Sequence, residues 1–132
     1  MSSREPCVLV VDDDRDLCDS VVEALGDQGY SAVAKSDGAS AIEYLKTHSS
    51  IGLILLDWHM APMNGPELIE ALEQASIPIP AVVLFTADST QPTPAALRAV
   101  GQLTKPVNLP ALYRFAQTYC GRSTRGVSQA RG

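Results

Sequence analysis

The sequence predicts an α/β protein built on an open parallel sheet, and two observations lead to that fold class. Short aliphatic runs alternate five times with segments of helical period along the 132 residues. The strongest runs are apolar without alternation, which is typical of strands that helices cover on both faces. Repeated strand–helix units of this kind form parallel sheets with right-handed crossovers, so a single doubly wound domain is expected.

Five runs are the candidate strands, and four of them end in a polar residue. The runs are CVLVV (7–11), YSAVA (30–34), IGLILL (51–56), AVVLF (81–85) and the weak QLT (102–104). Asp12 and Asp13 follow the first run and Asp57 the third. Thr86 follows the fourth run and Lys105 the fifth. Because a doubly wound sheet binds ligands at the carboxyl ends of its strands, we expect these five side chains to meet there.

Each predicted helix has a start signal. Asp14 is the candidate N-cap of the first helix, in which apolar residues recur every fourth position. The other signals are Ser36 or Asp37 for the segment 37–48, Pro66 for 65–75, Thr93 for a short helix at 93–101 and Asn108 for 108–120. On the last helix, one predicted apolar face comprises Leu109, Leu112, Ala116 and Tyr119.

Composition narrows the class of protein further. A net charge of −5 disfavours nucleic-acid binding through the domain's own field. No apolar run is long enough for a membrane span, and the first residues lack the apolar region of a signal peptide. We therefore expect a cytoplasmic domain over residues 1–121, followed by a polar tail or linker stump over 122–132.

The three cysteines, Cys7, Cys18 and Cys120, are odd in number and show no CxxC spacing. This usage indicates a reducing compartment and argues against a disulfide framework or a zinc site. We expect all three to be small buried apolar residues.

The polar residues at the strand ends suggest a specific chemistry. Two or three carboxylates in one pocket repel one another, and Mg²⁺ is the hard cation that commonly offsets such a charge in proteins. A threonine hydroxyl and a lysine ammonium nearby are suited to the oxygens of a phosphoryl group. An aspartate can itself be the nucleophile, which gives an acyl phosphate.

Four motifs in order resemble the receiver domain of two-component response regulators, from about Cys7 to Cys120. They are VLVVDDD (8–14), LILLDWHMAPMNG (53–65), VVLFTA (82–87) and LTKP (103–106). The resemblance implies a flavodoxin-like sheet in strand order 2-1-3-4-5 with five helices. It also implies a signalling module and not an enzyme that turns over a foreign substrate.

By this resemblance, Asp57 is the phosphoryl acceptor. Asp13 would bind Mg²⁺ directly, Asp12 would help through water, and the backbone carbonyl of His59 would complete the protein ligands. The donor would be a sensor histidine kinase or a phosphotransfer protein. An output domain, absent from this chain, is a possible partner, and neither nucleic acid nor membrane is expected to bind directly.

The resemblance further assigns a switch hydroxyl to Thr86 and a phosphoryl-pairing ammonium to Lys105, with a cis Lys105–Pro106 bond. Gln102 departs from the family, which usually has an aromatic ring there that moves with the threonine. We therefore expect phosphorylation to be read out through a surface other than the family's usual fourth-helix face.

Smaller departures lie in two loops. Ala61 stands where the family usually has proline, and Pro62 follows it. His59 and Asp88 occupy positions that influence how fast water attacks the phosphoaspartate, so this pair is expected to alter the lifetime of the phosphorylated state.

Two other functions fit parts of the sequence. The opening DDD also resembles the Asp-x-Asp start of haloacid-dehalogenase-type phosphatases, with Asp12 as nucleophile and Asp14 as acid/base. The short chain and the lack of a cap segment count against that hypothesis. Alternatively, the chain is a degenerate receiver that binds partners without being phosphorylated.

Overall fold

A computed structural model of the chain describes residues 5–86 and 99–121. Its elements in order are β1 (Val8–Val11), α1 (Arg15–Asp27), β2 (Ala32–Lys35), α2 (Gly38–Thr47), β3 (Leu53–Asp57), α3 (Gly65–Gln74), β4 (Ala81–Thr86), β5 (Gly101–Thr104) and α4 (Leu109–Cys120). All five predicted strands are present. The short helix predicted at 93–101 falls mostly outside the described residues, which contain four of the five predicted helices.

The strands form one parallel sheet in the order β2-β1-β3-β4-β5, which confirms the predicted topology. The register places Val11 beside Leu56 and Thr86 beside Thr104. The carboxyl ends of β1, β3, β4 and β5 are therefore in line, at what we term the carboxyl end of the sheet. The opposite side, where β1 begins after Cys7, is the amino end of the sheet.

Successive residues of the central strands pack into two separate cores, one on each face of the sheet. Val8 and Val10 of β1 pack with residues of α1 and α4, whereas Leu9 and Val11 pack with residues of α2 and α3. Every residue of β1 and β3 is buried. Coverage on both faces explains why these strands are continuously apolar.

The predicted caps are confirmed at three helices, α1, α2 and α4. The side chain of Asp14 accepts a hydrogen bond from the Leu17 amide (3.1 Å), and Asp37 rather than Ser36 caps α2. Asn108 caps α4, and α3 begins with Pro66 in its first turn behind a reciprocal capping box. These bonds satisfy amides that would otherwise lack partners at each helix start.

The apolar face predicted on the last helix is buried only in its middle. On α4, Leu112 and Ala116 are buried as predicted, but Leu109 and Tyr119 are 37% and 36% exposed. The helix covers the sheet only with its two middle turns, so the residues near its ends extend past the core.

In the described part of the chain, no helix has the length and apolarity to cross a membrane.

The prediction of three unpaired cysteines was wrong for two of them. Cys7 and Cys120 form a disulfide with their Cα atoms 6.0 Å apart, while Cys18 is free and buried, as predicted. The pair is separated by 113 residues in sequence. The fold places the start of β1 beside the end of α4, and no local cysteine spacing can reveal such a meeting.

Candidate functional site

Three predicted carboxylates meet at the carboxyl end of the sheet. Asp12 and Asp57 are buried, because each directly ends or follows a central strand, while Asp13 is exposed beside them. One oxygen from each carboxylate lies within 4.8 Å of the others. Asp57, which follows Asp13 by 44 positions in sequence, therefore forms one acidic cluster with Asp12 and Asp13, as predicted from the strand ends.

Lys105 supplies the positive charge at this cluster. Its ammonium lies 2.8 Å from Oδ2 of Asp12 and 3.5 Å from Oδ1 of Asp57, and its side chain is 23% exposed. The shorter contact is an ion pair. Oδ2 of Asp12 is buried, and apart from this ion pair it has no hydrogen bond from any described residue.

The backbone of β4 positions Lys105. The Lys105 amide donates a 2.8 Å hydrogen bond to the carbonyl of Thr86, which is itself buried at the end of β4. The Lys105–Pro106 peptide is cis, as the resemblance implied. The ammonium then lies 5.3 Å from the centre of the Phe85 ring. Thr86 and Lys105 thus belong to the same corner as the three carboxylates.

The loop after β3 returns close to its own strand. The His59 amide donates to Oδ1 of Asp57 (3.2 Å), and the Gly65 amide donates to the carbonyl of Trp58. A Cβ on Gly65 would lie 3.1 Å from the Asp57 carbonyl, so a residue without a side chain suits this approach. The Ala61–Pro62 bond in this loop is also cis.

Asp12 is held from the side of α1. The Asp14 amide donates to its Oδ1 (2.9 Å), and the thiol of Cys18 donates to its backbone carbonyl (3.3 Å). Burial, followed by the charges of Asp12 and Asp19, raises the pKa of Cys18 to about 11. Cys18 therefore remains a thiol at neutral pH. Sequence reasoning missed this contact, since the i to i+6 spacing spans a strand end and a helix start.

Electrostatics at the cluster favour proton or cation binding. Burial, then the charge of Asp12, raises the pKa of Asp57, although the His59 amide and Lys105 act in the opposite direction. Burial alone would lower the pKa of Lys105. The contact with Asp12 and the charge of Asp57 outweigh burial, so the pKa of Lys105 is raised.

The donor set fits a divalent cation. Hard cations take carboxylate oxygens, and three of these converge within one coordination sphere. One of the carboxylates, Asp12, also has the buried oxygen without a hydrogen bond described above. Lys105 is a single positive charge facing three negative ones, so the cluster retains a negative excess that a cation would offset.

Asp14 lies outside the carboxylate cluster, because its side chain caps α1. The prediction for Asp88 falls outside the described residues. Gln102, at the position where the family usually has an aromatic ring, is half-buried in the middle of β5 and aligned with Leu84.

The strand order and the acidic corner together define a doubly wound α/β protein with a cluster of carboxylates at its strand ends. The sequence model of one family, described as "Response regulator receiver domain", matches residues 8–117. The match covers most of the chain, and the chain belongs to this family.

Similar proteins agree with that assignment. The transcriptional regulatory protein GlrR of Escherichia coli is 32% identical over 117 residues, which is 86% of this chain and 26% of GlrR. CpxR of the same organism is 39% identical over 67 residues, which is 51% of this chain and 28% of CpxR. The chain thus spans about a quarter of the length of these curated relatives.

Two similar solved structures match this chain over nearly their whole length. The chemotaxis protein CheY4 of Vibrio cholerae has a TM-score of 0.75 and 27% identity, covering 88% of this chain and 99% of CheY4. A CheY-like receiver domain protein of Methanospirillum hungatei has a TM-score of 0.77 and 28% identity, covering 89% of this chain and 96% of its own.

Proposed function

We propose that this chain is a phospho-acceptor of a two-component phosphorelay, with Asp57 as the accepting residue. The observation that carries the proposal is the corner in which Asp57 stands with two further carboxylates and within 3.5 Å of the Lys105 ammonium. The donor would be the phosphohistidine of a sensor histidine kinase or of a phosphotransfer protein.

Asp57 is suited to act as the nucleophile. Its Oδ1 accepts from the His59 amide, whereas no hydrogen bond from the described residues reaches Oδ2. A carboxylate oxygen would bond to phosphorus as the phosphorus–nitrogen bond of phosphohistidine breaks, and the imidazole would leave with the bonding electron pair. The product is an acyl phosphate on Asp57.

Lys105 and Thr86 would act on the transferred group. Lys105 already lies between Asp12 and Asp57, so its ammonium can pair with a phosphoryl oxygen after a small movement of a flexible side chain. Thr86 ends the neighbouring strand, and its hydroxyl would respond to the new charge. Gln102 in place of an aromatic ring argues that the response passes through another surface.

The metal expected here is Mg²⁺. Asp12, Asp13 and Asp57 would hold it with their carboxylates, together with the backbone carbonyl of His59. When bound, the cation offsets carboxylate repulsion and the charge that develops on the phosphoryl oxygens.

The output of the switch would lie in another protein or domain. We infer that residues 1–121 form the receiver, that 122–132 are a tail or linker, and that an output domain or separate partner reads the phosphorylated state. On this proposal the chain promotes only its own phosphorylation and dephosphorylation, acts in the cytoplasm, and contacts neither nucleic acid nor membrane.

The deciding experiment measures phosphoryl uptake from acetyl phosphate by intact mass. The wild-type chain should gain one phosphoryl group with Mg²⁺ and none with a chelator, and Asp57→Asn should gain none. Asp14→Asn is the matched control, because asparagine still caps α1 and Asp14 lies outside the corner. This control should be phosphorylated like the wild type.

Other outcomes would point to the alternatives. A folded chain that binds Mg²⁺ but never gains a phosphoryl group would be a degenerate receiver used for binding. Repeated turnover of a phosphate ester that Asp12→Ala abolishes would indicate a phosphatase of the haloacid-dehalogenase type.

A further inference from the structure

The amino end of the sheet carries a covalent link that the phospho-acceptor role does not use. Cys7 directly precedes β1 and Cys120 is the last residue of α4, and the two form a disulfide. Both residues are only partly buried, in contrast to the buried Cys18.

The last turn of α4 has few other anchors. Leu112 and Ala116 are fully buried, but the next three residues, 117–119, are all exposed. The disulfide at Cys120 attaches this turn covalently to the residue that precedes β1. Beyond it lies Gly121 with a φ of 79°, a left-handed conformation that suits glycine and ends the helix.

Gly52 makes room for this attachment. An ideal Cβ at Gly52 would lie 2.6 Å from the carbonyl oxygen of Tyr119 and 3.2 Å from Sγ of Cys7. The Gly52 amide also donates a 2.8 Å hydrogen bond to the carbonyl of Cys7. The end of α4, the start of β1 and the approach to β3 thus meet where no side chain intervenes.

We propose that Cys7 and Cys120 are a redox modification site, a reversible thiol–disulfide pair that in its oxidised form fixes the last turn of α4 to the sheet. The site is independent of phosphorylation, since it lies at the far end of β1 from Asp12. The five steps along the strand from Cys7 to Asp12, at about 3.3 Å each, separate the two residues by roughly 16 Å.

The chemistry balances with a peroxide as oxidant. The thiolate of one cysteine attacks a hydrogen peroxide oxygen, the oxygen–oxygen bond breaks to give a sulfenic acid, and the leaving hydroxide takes up the proton that the thiol had released and becomes water. The second thiol then displaces the sulfenic hydroxyl as water, and the sulfur–sulfur bond forms. A dithiol reverses the reaction by exchange and is itself oxidised to a disulfide.

Reduction should loosen the last turn of α4, which ends at Cys120. A link between residues 113 apart strongly restricts the unfolded chain, so its loss lowers stability. The redox state would then set both the melting temperature of the domain and the order of the last turn of α4.

The test compares the full chain in glutathione buffers of graded oxidised-to-reduced ratio. Alkylation after denaturation without reductant should modify one cysteine, Cys18, in the oxidised chain and all three in the reduced chain, and the change should be reversible when the buffer acts on the folded protein. Reduction should lower Tm by roughly 10 °C. It should also speed amide exchange at 117–121 several-fold under conditions in which these amides exchange by local opening.

Variants separate this role from a general loss of folding. Cys7→Ser and Cys120→Ser should each show the low Tm of the reduced chain and no response to glutathione, whereas Cys18→Ser should retain the full redox shift. Gly52→Ala should shift the balance toward the reduced form, because its Cβ would displace the Tyr119 carbonyl.

Three results would overturn the proposal. One is alkylation of all three cysteines when protein from the most oxidising buffer is denatured without reductant. Another is a disulfide that can be reduced only after unfolding, which would be a fixed structural link. The last is an equal Tm and equal exchange at 117–121 in both redox states.

Discussion

The two ends of β1 differ in what they bring together. After Val11, Asp12 joins carboxylates from other strand ends, which repel one another around a single lysine. Before Val8, Cys7 is covalently linked to the end of α4. The carboxyl end therefore concentrates charge that folding alone does not favour, whereas the amino end adds a link that stabilises the fold.

The contrast indicates that binding and stability depend on opposite ends of the sheet. Buried like charges reduce stability unless a counterion or cation is present, so their presence indicates a binding role. A disulfide acts mainly on the unfolded chain and needs no ligand. If the two ends are independent, changes at one should add to changes at the other, as expected for distant sites.

The largest expected effect in this comparison is at Lys105. Lys105→Met keeps the aliphatic stem but leaves the fully buried Asp12 carboxylate without its counterion. We expect the free energy of unfolding to fall by about 2 kcal/mol in chelator, less than for a fully buried pair because Lys105 is partly exposed. Urea denaturation at neutral pH measures the change, and Mg²⁺ should restore part of it.

The double variant with Asp12→Asn provides the control. Once the buried charge is absent, removal of Lys105 should cost much less than 2 kcal/mol. The loss from Lys105→Met should also be equal in the oxidised and the reduced chain. Full additivity of Lys105→Met and Asp12→Asn would contradict the assignment of Lys105 as the counterion of Asp12.

The carboxyl end could be predicted from the sequence because strand ends are visible as the last residues of apolar runs. Asp12, Asp57, Thr86 and Lys105 each end such a run, and parallel topology aligns them. The meeting of Cys7 with Cys120 depends on the length and direction of α4, which no local pattern encodes. The contact of Cys18 with the Asp12 carbonyl was missed because it spans the turn between β1 and α1, which neither the strand period nor the helix period describes.

Substitutions of Asp13 and Asp14, which are neighbours in sequence, should have smaller effects than Lys105→Met, and they should affect different properties. Asp14→Ala removes the cap of α1 and should cost about 1 kcal/mol of unfolding free energy, with Mg²⁺ affinity unchanged. Asp13 is exposed, so Asp13→Asn should leave stability nearly unchanged and weaken Mg²⁺ binding by at least about tenfold. Fluorescence of Trp58, the single tryptophan, next to Asp57, can report the titration.

The opposite pattern would contradict this division of the carboxylates. A large loss of Mg²⁺ affinity in Asp14→Ala with no loss of stability would move the metal site toward α1. The redox state of Cys7 and Cys120 should change neither affinity.

The smallest effect is a pH dependence that originates at Asp57. Burial and Asp12 raise its pKa above the ordinary 3.8, so the native state holds this proton more tightly than the unfolded chain does. Without metal, the contribution of Asp57 to stability is therefore fully present below pH 3.8 and decreases as pH rises from there through the raised pKa. The slope is modest, since the His59 amide and Lys105 oppose the shift.

Urea denaturation in chelator across this pH range should show a flatter dependence of stability on pH for Asp57→Asn than for the wild type. The difference between the two proteins should be the same in the oxidised and the reduced form. A profile for Asp57→Asn as steep as that of the wild type would assign the slope to another group.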